Sequence, residues 1–159
     1  MKKIKLYLDT SIINFALAED IGEPEKNATL KLCQEINAGK YEAFISEIVI
    51  REIARTPDEA RRKKLLDFVQ NFNVQTLAVN PEAQNMAERY VEEKIIPTVY
   101  LDDALHIALT TINGLDVLVS WNFKHLVKHK TRYEVSGVNI LMGYQTIDIC
   151  TPLEVIDDV

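Results

Sequence analysis

The chain has 159 residues and a mass of 18.2 kDa, with 18 Lys+Arg against 24 Asp+Glu, a net charge of −6. A composition of 47% hydrophobic and 26% charged residues excludes a disordered or fibrous chain, and the length suffices to bury a core without disulfides or a structural metal. The acidic total excludes coating of nucleic acid or anionic membrane through the overall field, so any nucleic-acid contact has to come from a local basic patch.

Cys33 and Cys150 are the only cysteines and form no C-x-x-C or zinc spacing, so they read as buried thiols in a reducing compartment. No apolar run is long enough to cross a bilayer. Lys2 and Lys3 resemble the start of a signal peptide, but Lys5 and Asp9 cut the apolar stretch short. The expectation is a single domain over residues 1–159, cytoplasmic, with no membrane partner.

In chain order, Ile4 to Leu8 predicts a first strand. Asp9-Thr10-Ser11 supplies capping chemistry before a helix through Ile12 to Ala16. A polar loop, Glu19 to Pro24, leads to a helix over 25–38 that Gly39 closes. Tyr41 to Ile45 is a second strand. Ser46 caps a helix through Glu47 to Ala54, and Pro57 marks its end. A helix over 58–72 carries a basic face, Arg61-Arg62-Lys63-Lys64, and Val74 to Val79 is a third strand. Pro81 opens a helix to about Glu93.

The next helix, about Tyr100 to Asn113, is apolar on nearly every side and therefore buried. Asp116 to Ser120 is a fourth strand, Asn122 to Lys130 a short helix, and Thr146 to Cys150 a last strand before a Thr151-Pro152 tail. Residues 137–143 carry no clear pattern. Strands alternating with helices predict an α/β fold, a three-layer α/β/α sandwich with a central, mostly parallel sheet. In such sheets the site lies beyond the carboxyl ends of the strands, where Asp9, Ser46 and Ser120 to Asn122 fall.

Several carboxylates stand in costly places. Asp9 ends an apolar strand and is either a helix cap or a site residue. Glu52 stacks on Ile48 and Val49 of the apolar stripe, where a carboxylate is costly unless paired or coordinating; the alternative puts it at the edge of a broad stripe. Glu47 complements the helix dipole. Asp102 and Asp103 open the most buried helix, with Asp103 on the face of Ile107 and Asp102 as the cap or a supporting group. Three converging carboxylates raise one another's pKa unless a cation intervenes. Mg²⁺ or Mn²⁺ takes hard oxygen ligands and binds phosphate oxygens, which suits attack of water on a phosphodiester.

Leu8-Asp9-Thr10-Ser11, the run from Ser46 to Ile53, Asp103 to Ala108, and Leu118-Val119-Ser120-Trp121-Asn122-Phe123 together resemble the PIN-domain family. The resemblance covers almost the whole chain and is closest to the small VapC-like toxins of toxin–antitoxin pairs. It implies a divalent-metal-dependent ribonuclease whose three acids are Asp9, Glu52 and Asp103, with Ser11 orienting Asp9 or a water. It further implies an RNA substrate, an antitoxin partner and a homodimer. The family often carries a fourth acid where this chain has Asn122, after Ser120 in place of a Thr. An amide oxygen can ligate a metal or hold a water but brings no charge, which bears on a second ion and on turnover.

Other residues carry two readings each. His125 and His129 have metal-ligand spacing, yet with Lys124, Lys128, Lys130 and Arg132 they fit a solvated basic face able to meet RNA phosphates. Trp121 either stacks on an unpaired base or packs in the core. His106 reads as a hydrogen-bonded core histidine, Met86 and Tyr90 as helix packing, and Lys5 as a sheet-edge residue. Two functions compete with the endoribonuclease: a non-catalytic RNA- or protein-binding module, kept open by Asn122, and an aspartyl-nucleophile phosphatase, for which Ser11 occupies the place of a needed second Asp.

Overall fold

The structure is a computed structural model that describes residues 2–156. Among these residues lie five strands: β1 (Lys5–Leu8), β2 (Glu42–Ser46), β3 (Gln75–Leu77), β4 (Val117–Val119) and β5 (Asp148–Cys150). The helices are α1 (Thr10–Leu17), α2 (Glu23–Asn37), α3 (Glu47–Ala54), α4 (Glu59–Gln70), α5 (Pro81–Glu92), α6 (Leu101–Ile112), α7 (His129–Leu141) and α8 (Pro152–Val155). A 3₁₀ turn, Thr98–Tyr100, leads into α6.

The strands form one sheet in the order β3-β2-β1-β4-β5, and every pairing is parallel. Parallel neighbours need long crossovers, and the helices supply them. Strand alternation divides the core into two layers. Leu6, Leu8, Ala43, Ile45 and Val119 face α1, α2 and α4. Tyr7, Phe44 and Leu118 face α5 and α6 on the other side. This is the three-layer α/β/α sandwich, with the sheet parallel throughout.

Local chemistry sets several boundaries, the Ser46 cap among them as the sequence predicts. Asp9 caps α1 by accepting from Ser11 N, Ser46 caps α3 by accepting from Ile48 N, and Asn80 caps α5 by accepting from Ala83 N. Gly39 follows α2 at φ +83, a left-handed conformation that favours glycine.

Three expectations are corrected. Lys5 is not at an edge, because β1 is the middle strand; its backbone N–H donates to Asp116 at 2.8 Å. Asp102 does not cap α6, which starts after Tyr100 without a side-chain cap. It instead bridges to Arg51 at 3.3 Å and Arg55 at 3.1 Å. Residues 122–128 are turns rather than a helix, so His125 and His129 do not share a helical face. The helix lies further on, through the stretch with no clear pattern. Its buried stripe is only Thr131, Val135 and Asn139, two of them polar, so hydropathy does not reveal it. Tyr90 Oη donates to Asn139 Oδ1 at 2.5 Å, and Asn139 Nδ2 donates to Thr111 at 3.0 Å, which offsets burial of that amide.

Cys33 and Cys150 are buried free thiols, and burial pushes each up to about 12. Among the described residues no helix is long and apolar enough to cross a membrane.

Candidate active site

Sheet order reverses at β1, which pairs with β2 on one side and β4 on the other. The crevice beyond the carboxyl ends of β1 and β4 is the topological switch point, where parallel sheets bind ligands. A cavity of about 270 Å³ opens there, lined by Asp9, Thr10, Ser11 and Asn14 from the β1–α1 segment, Glu52 from α3, Asp103 and His106 from α6, and Asn122 after β4. All five residues singled out in the sequence lie on this one cavity. Asp9, Ser11, Glu52, Asp103 and Asn122 are far apart in the chain and meet only because β1 lies between β2 and β4.

Asp9 is buried and held by two serines. Ser11 donates to its Oδ1 through Oγ at 2.5 Å and through the backbone N–H at 3.1 Å. Ser120 Oγ donates to Oδ2 at 2.5 Å. Each serine oxygen also accepts a backbone N–H: Ser11 from Trp121 at 2.8 Å, Ser120 from Asn122 at 2.9 Å. Those bonds occupy the oxygens as acceptors and leave the hydroxyl protons for Asp9. The residue is therefore helix cap and cavity wall at once. Burial raises its pKa and Glu52 adds to that, while His106 and the two serines pull the other way.

Glu52 accepts from Thr10 Oγ1 at 2.8 Å, and His106 Nε2 lies 2.7 Å from the same oxygen, Oε1. On the other side of the ring, Tyr7 Oη lies 2.6 Å from Nδ1, and Ser46 Oγ lies 2.7 Å from Tyr7 Oη. Ser46 Oγ accepts from Ile48 N. With His106 neutral and Glu52 ionised, the proton order is Ile48 N–H to Ser46, Ser46 to Tyr7, Tyr7 to Nδ1, and Nε2–H to Glu52; a protonated His106 donates from both nitrogens and reverses the Tyr7 contact. Burial pushes Glu52 up, but the His106 hydrogen bond and charge, with Thr10 and Arg55, hold it below the usual carboxylate range. Burial lowers His106, yet the Glu52 hydrogen bond and charge, then Asp9 and Asp103, carry it above its ordinary value.

Asp103 stands in the first turn of α6, and Asn122 Nδ2 is 3.4 Å from its Oδ2. Burial pushes this carboxyl up to about 6; His106 opposes the rise, and Asp9, Glu52 and Asp102 add to it. Asn122 presents its amide nitrogen to the acid. Its carbonyl oxygen is taken by Lys124 N at 3.2 Å and His125 N at 3.1 Å, closing the turn after β4.

Sequence reasoning did not place Thr10, Asn14 or His106 in the site. Thr10 and Asn14 are four apart on α1, and Asp103 and His106 three apart on α6, so helical spacing was a usable signal. Trp121 packs in the core, 5% exposed, stacked on Phe15 at 5.3 Å and donating to Thr29 at 2.8 Å.

As the side chains stand, no group of three His, Cys, Asp or Glu among the described residues is gathered tightly enough to hold an ion. The donor chemistry fits a hard cation all the same. Asp9, Glu52 and Asp103 bring carboxylate oxygens to one cavity, where burial above all, and repulsion among the acids after it, disfavours the charged forms of Asp9 and Asp103.

The sequence matches no family model and no curated protein sequence. Solved structures do match. VapBC2 from Rickettsia felis, bound to a DNA fragment from its promoter, superposes at TM-score 0.58 with 15% identity, over 93% of this chain and 98% of its own. VapC20 from Mycobacterium tuberculosis, a Sarcin-Ricin loop cleaving toxin, superposes at 0.55 with 13% identity, over 76% of this chain and 92% of its own. The chain has the PIN-like fold of the VapC toxins. Tyrosyl-tRNA synthetase from Archaeoglobus fulgidus also superposes, at 0.51 with 11% identity, over 96% of this chain but 56% of its own. That match shows the parallel α/β layout is shared more widely than the PIN-like fold, so the activity has to be argued from the cavity itself.

Proposed function

We propose that this chain is a divalent-metal-dependent endoribonuclease, the toxin of a type II toxin–antitoxin pair. One observation carries the reading: Asp9, Glu52 and Asp103, from three separate elements, line one cavity at the switch point of a sheet laid out as in VapC20. Three carboxylates share that small space, which is costly without a cation. The toxin reading brings with it an antitoxin and a homodimer, and the VapBC2 likeness supports the antitoxin.

Asp9, Glu52 and Asp103 would hold Mg²⁺ or Mn²⁺. Such an ion supplies Lewis acidity toward phosphate oxygens and water. The protein's own part is orientation. Ser11 and Ser120 fix both oxygens of Asp9, and Thr10 with His106 fixes one oxygen of Glu52. Asn122 donates to Asp103 without adding charge. Groups held this way need little reorganisation when substrate arrives.

The test is cleavage of end-labelled single-stranded RNA with Mg²⁺ or Mn²⁺, comparing wild type, Asp103→Asn and an EDTA control. Cleavage by wild type alone supports the reading. Intact RNA in every lane, with metal bound, removes it for those substrates.

A second reading, a non-catalytic binding module, is favoured by Asn122. Its carbonyl oxygen is committed to two backbone N–H groups and its nitrogen faces Asp103. Metal binding without cleavage, with cleavage appearing in Asn122→Asp, would support it. The aspartyl-phosphate alternative is weaker, because Ser11 stands where a second Asp is needed and its hydroxyl donates to Asp9 instead.

A further inference from the structure

Exposed aromatic side chains stand on residues that neighbour the cavity lining in the chain. Tyr100 precedes α6, three residues before the pocket is reached at Asp103, and its ring lies 4.1 Å from that of His125. His125 is tied by its backbone N–H to Asn122, a lining residue. The pair therefore spans from the start of α6 to the turn after β4, beside the acids. Phe123, next to Asn122, is 59% exposed, and Tyr100 is 41% exposed. Single exposed aromatics are ordinary on a protein surface. Phe123 leans one side on Trp121, centroids 6.2 Å apart, and Tyr100 on His125, yet Phe123 and Tyr100 keep much of their surface in solvent.

Charge around these rings runs against that of the whole chain. Residues 122–132 contain Lys124, Lys128, Lys130 and Arg132 and no Asp or Glu, in a protein of net charge −6. Lys124 and Lys128 are exposed and close enough that, after burial, they lower the pKa of His125. Both effects disfavour the charged imidazole, whose ring offers a flat face. Cations beside exposed rings are the composition of a single-strand surface: phosphates meet the lysines and bases lie on the π-faces.

We propose that Phe123 and the Tyr100–His125 pair are stacking faces for unpaired bases of single-stranded RNA, with its phosphates along Lys124 and Lys128. The assignment rests on the RNA-cleaving reading of the adjacent cavity and adds to it the residues that would hold bases beside the acids. Paired bases are already stacked and cannot lie on these rings. Lysines at the rim also draw the phosphate chain toward a pocket whose own carboxylates repel it.

Binding in EDTA separates this surface from catalysis. The probe is a fluorescently labelled single-stranded RNA of about ten nucleotides, read by anisotropy, alongside the same length as a duplex and as an abasic sugar–phosphate strand. Wild type is expected to bind the single strand more tightly than either control. Phe123→Ala and Tyr100→Ala should each weaken single-strand binding about tenfold and leave the abasic strand unchanged. Phe123→Tyr and Tyr100→Phe should bind as wild type does. Lys124→Ala should weaken both strands and make the salt slope shallower by about 0.7. The proposal is overturned if wild type fails to bind the single strand, if the abasic strand binds equally well, or if the alanine variants keep wild-type affinity. Binding in EDTA without cleavage in Mn²⁺ would remove the nuclease reading and leave the stacking surface standing.

Discussion

His106 Nε2 lies 2.7 Å from Glu52 Oε1, joining the buried row Ser46–Tyr7–His106 to an acid of the cavity. The row passes from β2 through β1 to α6, so the sheet itself sets the position of the carboxylate. Tyr7→Phe deletes the hydroxyl in the middle and leaves Nδ1 and Ser46 Oγ facing an apolar ring. A buried polar group without a partner costs about 1–3 kcal/mol, so a loss of that order is expected in urea unfolding. His106→Gln keeps a side-chain N–H able to reach Glu52 and should retain more metal affinity than His106→Leu; equal affinities would show that the contact does not position Glu52.

Asp103, pushed up to about 6, makes metal-free stability depend on pH. The folded protein holds this proton more tightly than the unfolded chain does. Its contribution is therefore fully present below about pH 4 and lost as pH rises through about 6. Asp103→Asn should raise Tm in EDTA at pH 7.5, by about 2–4 °C for roughly 1 kcal/mol after solvent screening. The gain should vanish at pH 4. A Tm difference that ignores pH would mean the carboxyl is not perturbed as described.

The same proton competes with a cation. Mn²⁺ affinity, measured by calorimetry, should fall below pH 6 and level off above pH 7. At a hundredfold excess over Kd the ion should stabilise wild type by about 2.7 kcal/mol. Glu52→Gln and Asp103→Asn should each lose most of that increment, and no Mn²⁺-dependent rise in wild-type Tm would count against the metal reading.

Asn122→Asp would place a carboxylate against Asp103, where an amide N–H now lies at 3.4 Å. Like charges so close raise each other's pKa. Tm in EDTA at neutral pH should drop, and Mn²⁺ affinity or stoichiometry should rise. Unchanged metal binding would show that the missing charge does not limit the site.

Trp121 and Phe123 are two residues apart in sequence and opposite in exposure. Truncating buried Trp121 to Ala should cost about 3–5 kcal/mol of stability, whereas Phe123→Ala should stay within about 0.5 kcal/mol. Denaturant midpoints for the two variants check this directly. If Phe123→Ala unfolds as readily as Trp121→Ala, the exposed ring is part of the core.

Strand and helix order, and the caps at Asp9, Ser46 and Asn80, are local chemistry, and local chemistry is written in consecutive residues. The acids Asp9, Glu52 and Asp103 were legible for a related reason: each breaks an apolar pattern that burial would otherwise keep unbroken. What the chain could not announce was which partners those acids would meet. The contacts Thr10 to Glu52, Tyr7 to His106 and Ser120 to Asp9 join residues 42, 99 and 111 positions apart. Only the placement of β1 between β2 and β4 brings them together. The buried stripe Thr131–Val135–Asn139 was hidden because a polar side chain can be core when tertiary neighbours complete its hydrogen bonds. The contrast between Trp121 inside and Phe123 outside was decided likewise, by the turn that Asn122 closes with its own carbonyl oxygen.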